Sequence, residues 1–167
     1  MTVPPTSAAA TGQFHHVGVT VPSIARATEF FAAVLDANVL YDVPLAAYDD
    51  KPVPEVEPLS ARMGFPAGSR IKAIRMLEVA HVRLELFEFE EETQQAAARP
   101  CDLGMQHLAF YVENIHRTVE RVQAAGGRAF AGPGTVANPF FGNGHLWWYC
   151  VAPWGSIIEL LCAKAQL

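Results

Sequence analysis

Two stretches decide how this chain folds: FHHVGVTVPSIARATEFFAAVLDANV, residues 14–39, and MQHLAFYVENIHRTVERVQAAGGRAF, residues 105–130. Set one above the other at an offset of 91 positions, His16 falls on His107, Val21 on Val112, Ile24 on Ile115 and Arg26 on Arg117. A second pair of segments repeats at an offset of 74: VRLELF around Glu85 matches SIIELL around Glu159. Each half thus opens a strand with a histidine and closes a strand with a glutamate. Two half-domains built this way can bring two His and two Glu to their junction.

Working outward, each half begins with alternation of period two, the mark of a half-buried strand. His15, Val17, Val19 and Val21 fall on one face, and His16, Gly18 and Thr20 on the other. In the second half Leu108, Phe110 and Val112 oppose His107, Ala109 and Tyr111. By this parity His15 belongs to the apolar face and is structural. A helix follows each strand. Pro22 suits a first turn, and Ile24, Thr28, Phe31 and Leu35 recur at helical spacing. In the second half Asn114 caps, Ile115, Val119 and Val122 form the stripe, and Gly126-Gly127 ends it. Strands then return: Ile71 to Leu77 and Val82 to Phe89 form a hairpin around Glu78 to His81, while Leu146 to Val151 and Ile157 to Cys162 flank a Pro-Trp-Gly turn. Leu84 and Leu86, like Ile158, Leu160 and Cys162, take the buried face, so Glu85 and Glu159 point the other way.

Each half therefore reads β-α-β-β-β. The expected organisation is a flexible tail over 1–13, a first module over 14–89, a polar linker over 90–104 broken by Pro100, and a second module over 105–163. His16 to Glu85 spans 69 residues but His107 to Glu159 only 52, and the excess falls in the Pro- and acid-rich segment 41–70. An insertion of that length is expected to act as a lid over the site, with a short helix around Glu57 to Met63. Asp42, Asp49 and Glu55 within it are available as bases.

Composition narrows the function classes. Hydrophobic residues make up 51% of the 167 and charged ones 17%, enough for one packed domain or two fused modules. A net charge of -5 with no Lys/Arg run argues against nucleic acid. The N-terminus does not read as a secretory signal, and no apolar run is long enough for a membrane span. Cys101, Cys150 and Cys162, unpatterned, suit a reducing cytoplasm.

Two imidazoles and two carboxylates suit one divalent ion such as Ni, Co, Zn, Mn or Fe rather than a closed structural zinc site. An octahedral ion held by four protein groups keeps two adjacent positions for water or two neighbouring substrate oxygens. It acidifies an adjacent C–H and stabilises the resulting enolate, while a glutamate moves the proton. Singly, each residue has a plainer role, a hydrogen-bonded strand histidine or a solvent-facing glutamate. The joint pattern points to a site, because all four fall on the face away from the helices at equivalent repeat positions.

The paired His16 and His107, each opening such a unit, with Glu85 and the segment PWGSIIEL ending near Glu159, resemble the vicinal oxygen chelate superfamily of glyoxalases, bleomycin resistance proteins and extradiol dioxygenases. The resemblance runs from Phe14 to about Ala163. It implies an α+β fold in which two βαβββ modules form a curved mixed sheet around a metal-binding cavity with helices outside, commonly as a homodimer. It also implies His16, Glu85, His107 and Glu159 as metal ligands, the set of the glyoxalase and epimerase branches. The ring-cleavage branch uses His, His and Glu, matching His16, His107 and Glu159, and has a tyrosine ten residues before the last ligand, where this chain has Tyr149. Its catalytic histidine should precede His107, and His81 is the nearest candidate. The leading expectation is a divalent-metal-dependent lyase, isomerase or epimerase acting on a vicinal-oxygen small molecule through a metal-bound enolate. The alternatives are an Fe(II) extradiol dioxygenase and a metal-free binding or resistance protein of the same fold.

Glu159, Glu85 and Tyr149 are the candidate catalytic groups. Phe87, Tyr111, Trp147 and Phe141, with Phe140, are expected to wall the substrate pocket, and Arg75 or Arg83 to take a carboxylate.

Overall fold

The computed structural model describes residues 13–44, 58–91, 94–138 and 142–163. The first module runs β1 (Val17–Thr20), α1 (Ile24–Leu35), β2 (Asn38–Asp42), α2 (Leu59–Met63), β3 (Arg70–Val79) and β4 (Val82–Glu90). Its four strands are ordered β1-β4-β3-β2, with β1 parallel to β4 and the others antiparallel. The second module runs β5 (Leu108–Tyr111), α3 (Ile115–Ala124), β6 (Arg128–Ala129), β7 (Gly134–Asn138), β8 (Gly142–Val151) and β9 (Ile157–Ala163). Here the order is β5-β9-β8-β6, β5 is parallel to β9, and β7 also pairs with β8. The β-α-β-β-β plan holds in the first half and gains one strand in the second, where four strands follow the helix; the whole is an α+β architecture of open curved sheets.

Each helix forms where its caps allow. Ser23 caps α1, its Oγ accepting the N–H of Arg26, and Asp36 ends it in the left-handed conformation with φ 54°. Asn114 caps α3 by accepting from Arg117 N–H at 2.9 Å, and Gly126 follows its end at φ 83°. The buried stripe of α1 is Ile24, Ala27, Phe30, Phe31 and Val34; that of α3 is Ile115, Thr118, Val119 and Val122. Both pack on Leu84, Leu86, Ile158, Leu160 and Cys162 in one continuous core. The helices also touch each other. Trp154, in the β8–β9 turn, lies edge-on to Phe30 at 5.3 Å, and Arg121 of α3 bonds the Ala33 carbonyl and Asp36. With the helices on one side of the sheets, the opposite side carries the histidines and glutamates.

Several local expectations shift. The hairpin turn is only Ala80-His81, both at positive φ, so Glu78 and Val79 belong to β3. Tyr41 and Asp42 are strand rather than loop; the short helix expected around Glu57 to Met63 spans Leu59–Met63, and Glu57 lies outside the described residues. Glu90 closes β4 rather than opening the linker. The strand after α3 is split into β6 and β7 around Gly132-Pro133, a cis peptide. Residues 1–12, together with Asp49, Glu55, Phe140 and Phe141, lie outside the described residues. Among the described residues no helix is long and apolar enough to cross a membrane.

Candidate active site

β1 and β5, each at one edge of its sheet, present the two histidines at their starts. β4 and β9, their hydrogen-bonded neighbours, present the two glutamates. The registers are equivalent: Gly18 pairs with Glu85 and Ala109 with Glu159. As a result His16 Nε2 lies 3.1 Å from Glu85 Oε2, and His107 Nε2 lies 3.0 Å from Glu159 Oε2. The four expected ligands thus form two matched pairs, one per module. Among the described residues no three such groups converge on a single point.

The other nitrogen of each ring is held as well. His107 Nδ1 lies 2.8 Å from Gln106 Oε1, and the Gln106 amide donates to the Pro100 carbonyl at 2.8 Å. That second bond fixes which end of the amide is oxygen, so His107 Nδ1–H donates to it and Nε2 is the ring atom turned toward Glu159. A lone pair and a carboxylate oxygen 3.0 Å apart repel unless a proton or cation lies between them. The donor set of this pair therefore fits a divalent ion. In the first module the equivalent partner is His15, with Nδ1 2.7 Å from His16 Nδ1 and Nε2 3.3 Å from the Arg83 guanidinium. His15 is exposed. The expectation of an apolar-face residue fails because the strand starts only at Val17, and period two does not extend before it.

Aromatic groups surround both pairs. Tyr149 faces Glu159 across the β8–β9 ladder and hydrogen-bonds it, with its ring 5.1 Å from that of His107. Trp147 lies 5.5 Å from Tyr149, and Tyr111 packs edge-on to His145 at 5.8 Å. In the first module Phe87 sits beside Gly18 and stacks on Phe89 at 6.2 Å, and Phe65, just after α2, packs on Phe89 at 5.3 Å. The described part of the inserted segment therefore reaches the face that carries Glu85. His107 and Gln106 also line a cleft of about 230 Å³ with Gly18 and Thr20 of β1 and Ala97 of the linker. Larger clefts, one lined by Asp36 and Arg121 and another by Arg26 and Trp154, border the helices instead.

Arg75 is not brought to this face. It pairs with Leu86, on the helix side of the sheet, and its guanidinium binds Asp42 at 2.6 and 3.0 Å and Thr28 Oγ1 at 3.2 Å. Asp42, offered as a base, is thereby engaged and held below its usual value by the Arg75 hydrogen bond. Arg83 stays exposed beside His15, and His81 sits exposed in the hairpin turn. Gln106, His145 and Phe65 are site-face residues that sequence reasoning missed. Gln106 had a usable signal, since the offset of 91 sets it on His15.

The family model for the glyoxalase/bleomycin resistance protein/dioxygenase superfamily matches residues 15–142. The chain belongs to this superfamily. Within the vicinal oxygen chelate fold, a solved glyoxalase family protein from Bacillus cereus superposes with a TM-score of 0.68 at 20% identity, covering 93% of this chain and 98% of that one. A variant of the fosfomycin resistance protein FosX from Listeria monocytogenes, solved with Mn(II) and a dihydroxypropylphosphonic acid, gives 0.55 at 14% identity over 89% and 87%. At such identities these likenesses concern the fold. A curated relative, the 2-epi-5-epi-valiolone epimerase of an Actinomyces species, is 32% identical over 150 residues, 88% of this chain and 77% of that protein. That likeness supports an enzyme of the superfamily with an isomerase or epimerase character.

Proposed function

We propose that this chain is a divalent-metal-dependent epimerase or isomerase of a small hydroxy-ketone, working by proton transfer at the carbon beside the carbonyl. The observation that carries this reading is the duplicated His/Glu pair, His16–Glu85 and His107–Glu159, at 3.1 and 3.0 Å. The epimerase name of the curated relative agrees with it.

His16, Glu85, His107 and Glu159 would hold the ion. When bound, it would draw electron density from two neighbouring substrate oxygens and so acidify the C–H on the carbon beside the carbonyl. The remaining steps belong to the chain. Inverting a carbon takes a proton from one face and returns one to the other, which two carboxylates, one on each face, can do. Glu85 and Glu159, one from each module, supply them. One accepts the proton as the C–H electron pair moves onto the carbonyl oxygen as an enolate. The other, protonated, returns a proton to the opposite face as that pair re-forms C–H. Tyr149 donates its O–H to Glu159 and orients it. Phe87, Tyr111 and Trp147 wall the substrate, and the Phe65 segment restricts water. The cleft bordered by both His107 and Gly18 supports a junction within one chain.

The test is hydrogen exchange. Hydroxy-ketones, beginning with 2-epi-5-epi-valiolone, are incubated in D₂O with metal-loaded protein and followed by proton NMR. Deuterium entering only the carbon beside the carbonyl, with the second epimer accumulating, is expected. Glu85→Gln and Glu159→Gln should each abolish inversion, while either single variant still exchanges one epimer. No exchange with any divalent ion overturns the reading, and oxygen uptake on catechols would place the chain in the ring-cleavage branch.

A further inference from the structure

We propose that the two modules read opposite sides of the substrate: the first takes a hydrocarbon edge and the second takes hydroxyl groups. The favoured substrate class is then a hydroxy-ketone ring that carries hydroxyls on all but one edge. This deepens the epimerase reading above and rests on its placement of both modules around one substrate.

The repeat allows the two walls to be compared position by position. Met76 stands directly opposite Glu85 in the β3–β4 ladder, where Tyr149 stands opposite Glu159 in the β8–β9 ladder. Two residues further along the glutamate strands, the first module aligns Thr20, Phe87 and Ile74 across β1, β4 and β3. The second aligns Tyr111, Leu161 and Trp147 across β5, β9 and β8. Around its glutamate the first module thus sets a thioether, a phenyl ring and a branched alkyl group. The second sets two phenols and an indole. Thr20 is the polar group of the first row, and it borders the cleft shared with His107.

Packing reinforces the contrast. Ile74 and Met76 are each 1% exposed on the side of the sheet that carries Glu85. Phe87 stacks on Phe89, and Phe65 packs edge-on to Phe89, which extends the hydrocarbon surface toward the inserted segment. A substrate hydroxyl pressed against that surface gives up its water and is offered no hydrogen bond in return, so the wall rejects it. In the second module Tyr111 meets His145 at 5.8 Å and Trp147 meets Tyr149 at 5.5 Å. Phenol, indole and imidazole each combine a carbon body with a polar tip, and a hydroxylated edge fits there.

Three rings that share the reacting hydroxy-ketone test this. Scyllo-inosose carries a hydroxyl on every carbon but the carbonyl, its 2-deoxy analogue has a methylene in place of one of them, and 2-hydroxycyclohexanone keeps only the reacting hydroxyl. Each is titrated into the zinc-loaded full-length chain and followed by amide chemical shifts. The deoxy analogue should bind about tenfold more tightly than either of the others. Phe87→Tyr places a hydroxyl in the first wall and should narrow the gap to scyllo-inosose about fivefold, leaving the other gap unchanged. Tyr111→Phe removes a hydroxyl from the second wall and should narrow only the gap to 2-hydroxycyclohexanone, by a similar factor. Phe87→Leu, which keeps the first wall hydrocarbon, should preserve the gap to scyllo-inosose. Lost packing alone would weaken all three rings alike, and equal melting temperatures confirm folding.

A wild-type chain that binds scyllo-inosose as tightly as the deoxy analogue, or binds none of the rings, overturns the inference. Variants that move all three rings together do the same. Deuterium entry beside the carbonyl tests the epimerase reading separately. Gaps in affinity without exchange strike the reaction and leave the recognition, whereas exchange without gaps strikes this inference and leaves the reaction.

Discussion

Tyr149 stands directly opposite Glu159 in the β8–β9 ladder and hydrogen-bonds its carboxylate. Burial first, then the Glu159 charge and this bond, push the phenol above its ordinary value of 10.0. Because the folded value is the higher one, its contribution to stability is complete below pH 10.0 and is lost only as the pH rises beyond it. Tyr149 is therefore a proton donor throughout the neutral range. Tyr149→Phe should cut turnover about 100-fold and remove from the ultraviolet titration a phenol that titrates above 10.0. Unchanged turnover would reduce Tyr149 to a packing group.

Glu88 secures the first helix from the helix-facing side of β4 in the first module. Its carboxylate accepts the Ile24 N–H at 2.8 Å and binds Lys72 at 2.5 Å while almost wholly buried. The Lys72 hydrogen bond, then that of Ile24, holds it below the ordinary 4.5. A depressed carboxylate stabilises above its unfolded value, and that contribution is lost as the pH falls through the folded one. Glu88→Ala should cost about 1–2 kcal/mol at neutral pH. The gap to wild type should close in acid below pH 4.5. Denaturant melts at several pH values check both parts.

Gly134 leaves room for Trp147. A Cβ there would meet the indole at 2.3 Å, and a ring cannot yield as a flexible chain end does. Gly134→Ala should turn Trp147 away from Tyr149, shift the tryptophan emission and raise KM more than it lowers kcat. Unaltered emission would mean that β7 moves instead.

The junction is proposed to lie within one chain. His16→Ala and His107→Ala chains, each unable to assemble the full ligand set, should then stay deficient in zinc binding and exchange after mixing and co-refolding. Recovery on mixing would show that a partner copy completes the site.

Much of this was legible because the physics is local. Alternation of Val17 with Gly18 and Leu84 with Glu85 fixed the faces, and the offset of 91 transferred them to the second module. Legibility failed where neighbours decide. β2 has no buried residue to alternate, and the strand after α3 is interrupted around Gly132-Pro133. Arg75 sits among apolar residues on both sides, and only pairing with Leu86 reveals that it faces α1. The partners of the histidines required both neighbours and geometry. No pattern in sequence states which nitrogen Gln106 holds.

The central claim is that two His/Glu pairs hold one catalytic divalent ion, and elemental analysis tests it most directly. Untagged protein, purified without chelator and incubated with Ni, Co, Zn, Mn or Fe, is compared with His107→Ala after desalting. About one ion per chain, lost in the variant, is the predicted result. A wild-type chain that retains none of these ions, or a variant that retains as much as the wild type, would contradict it.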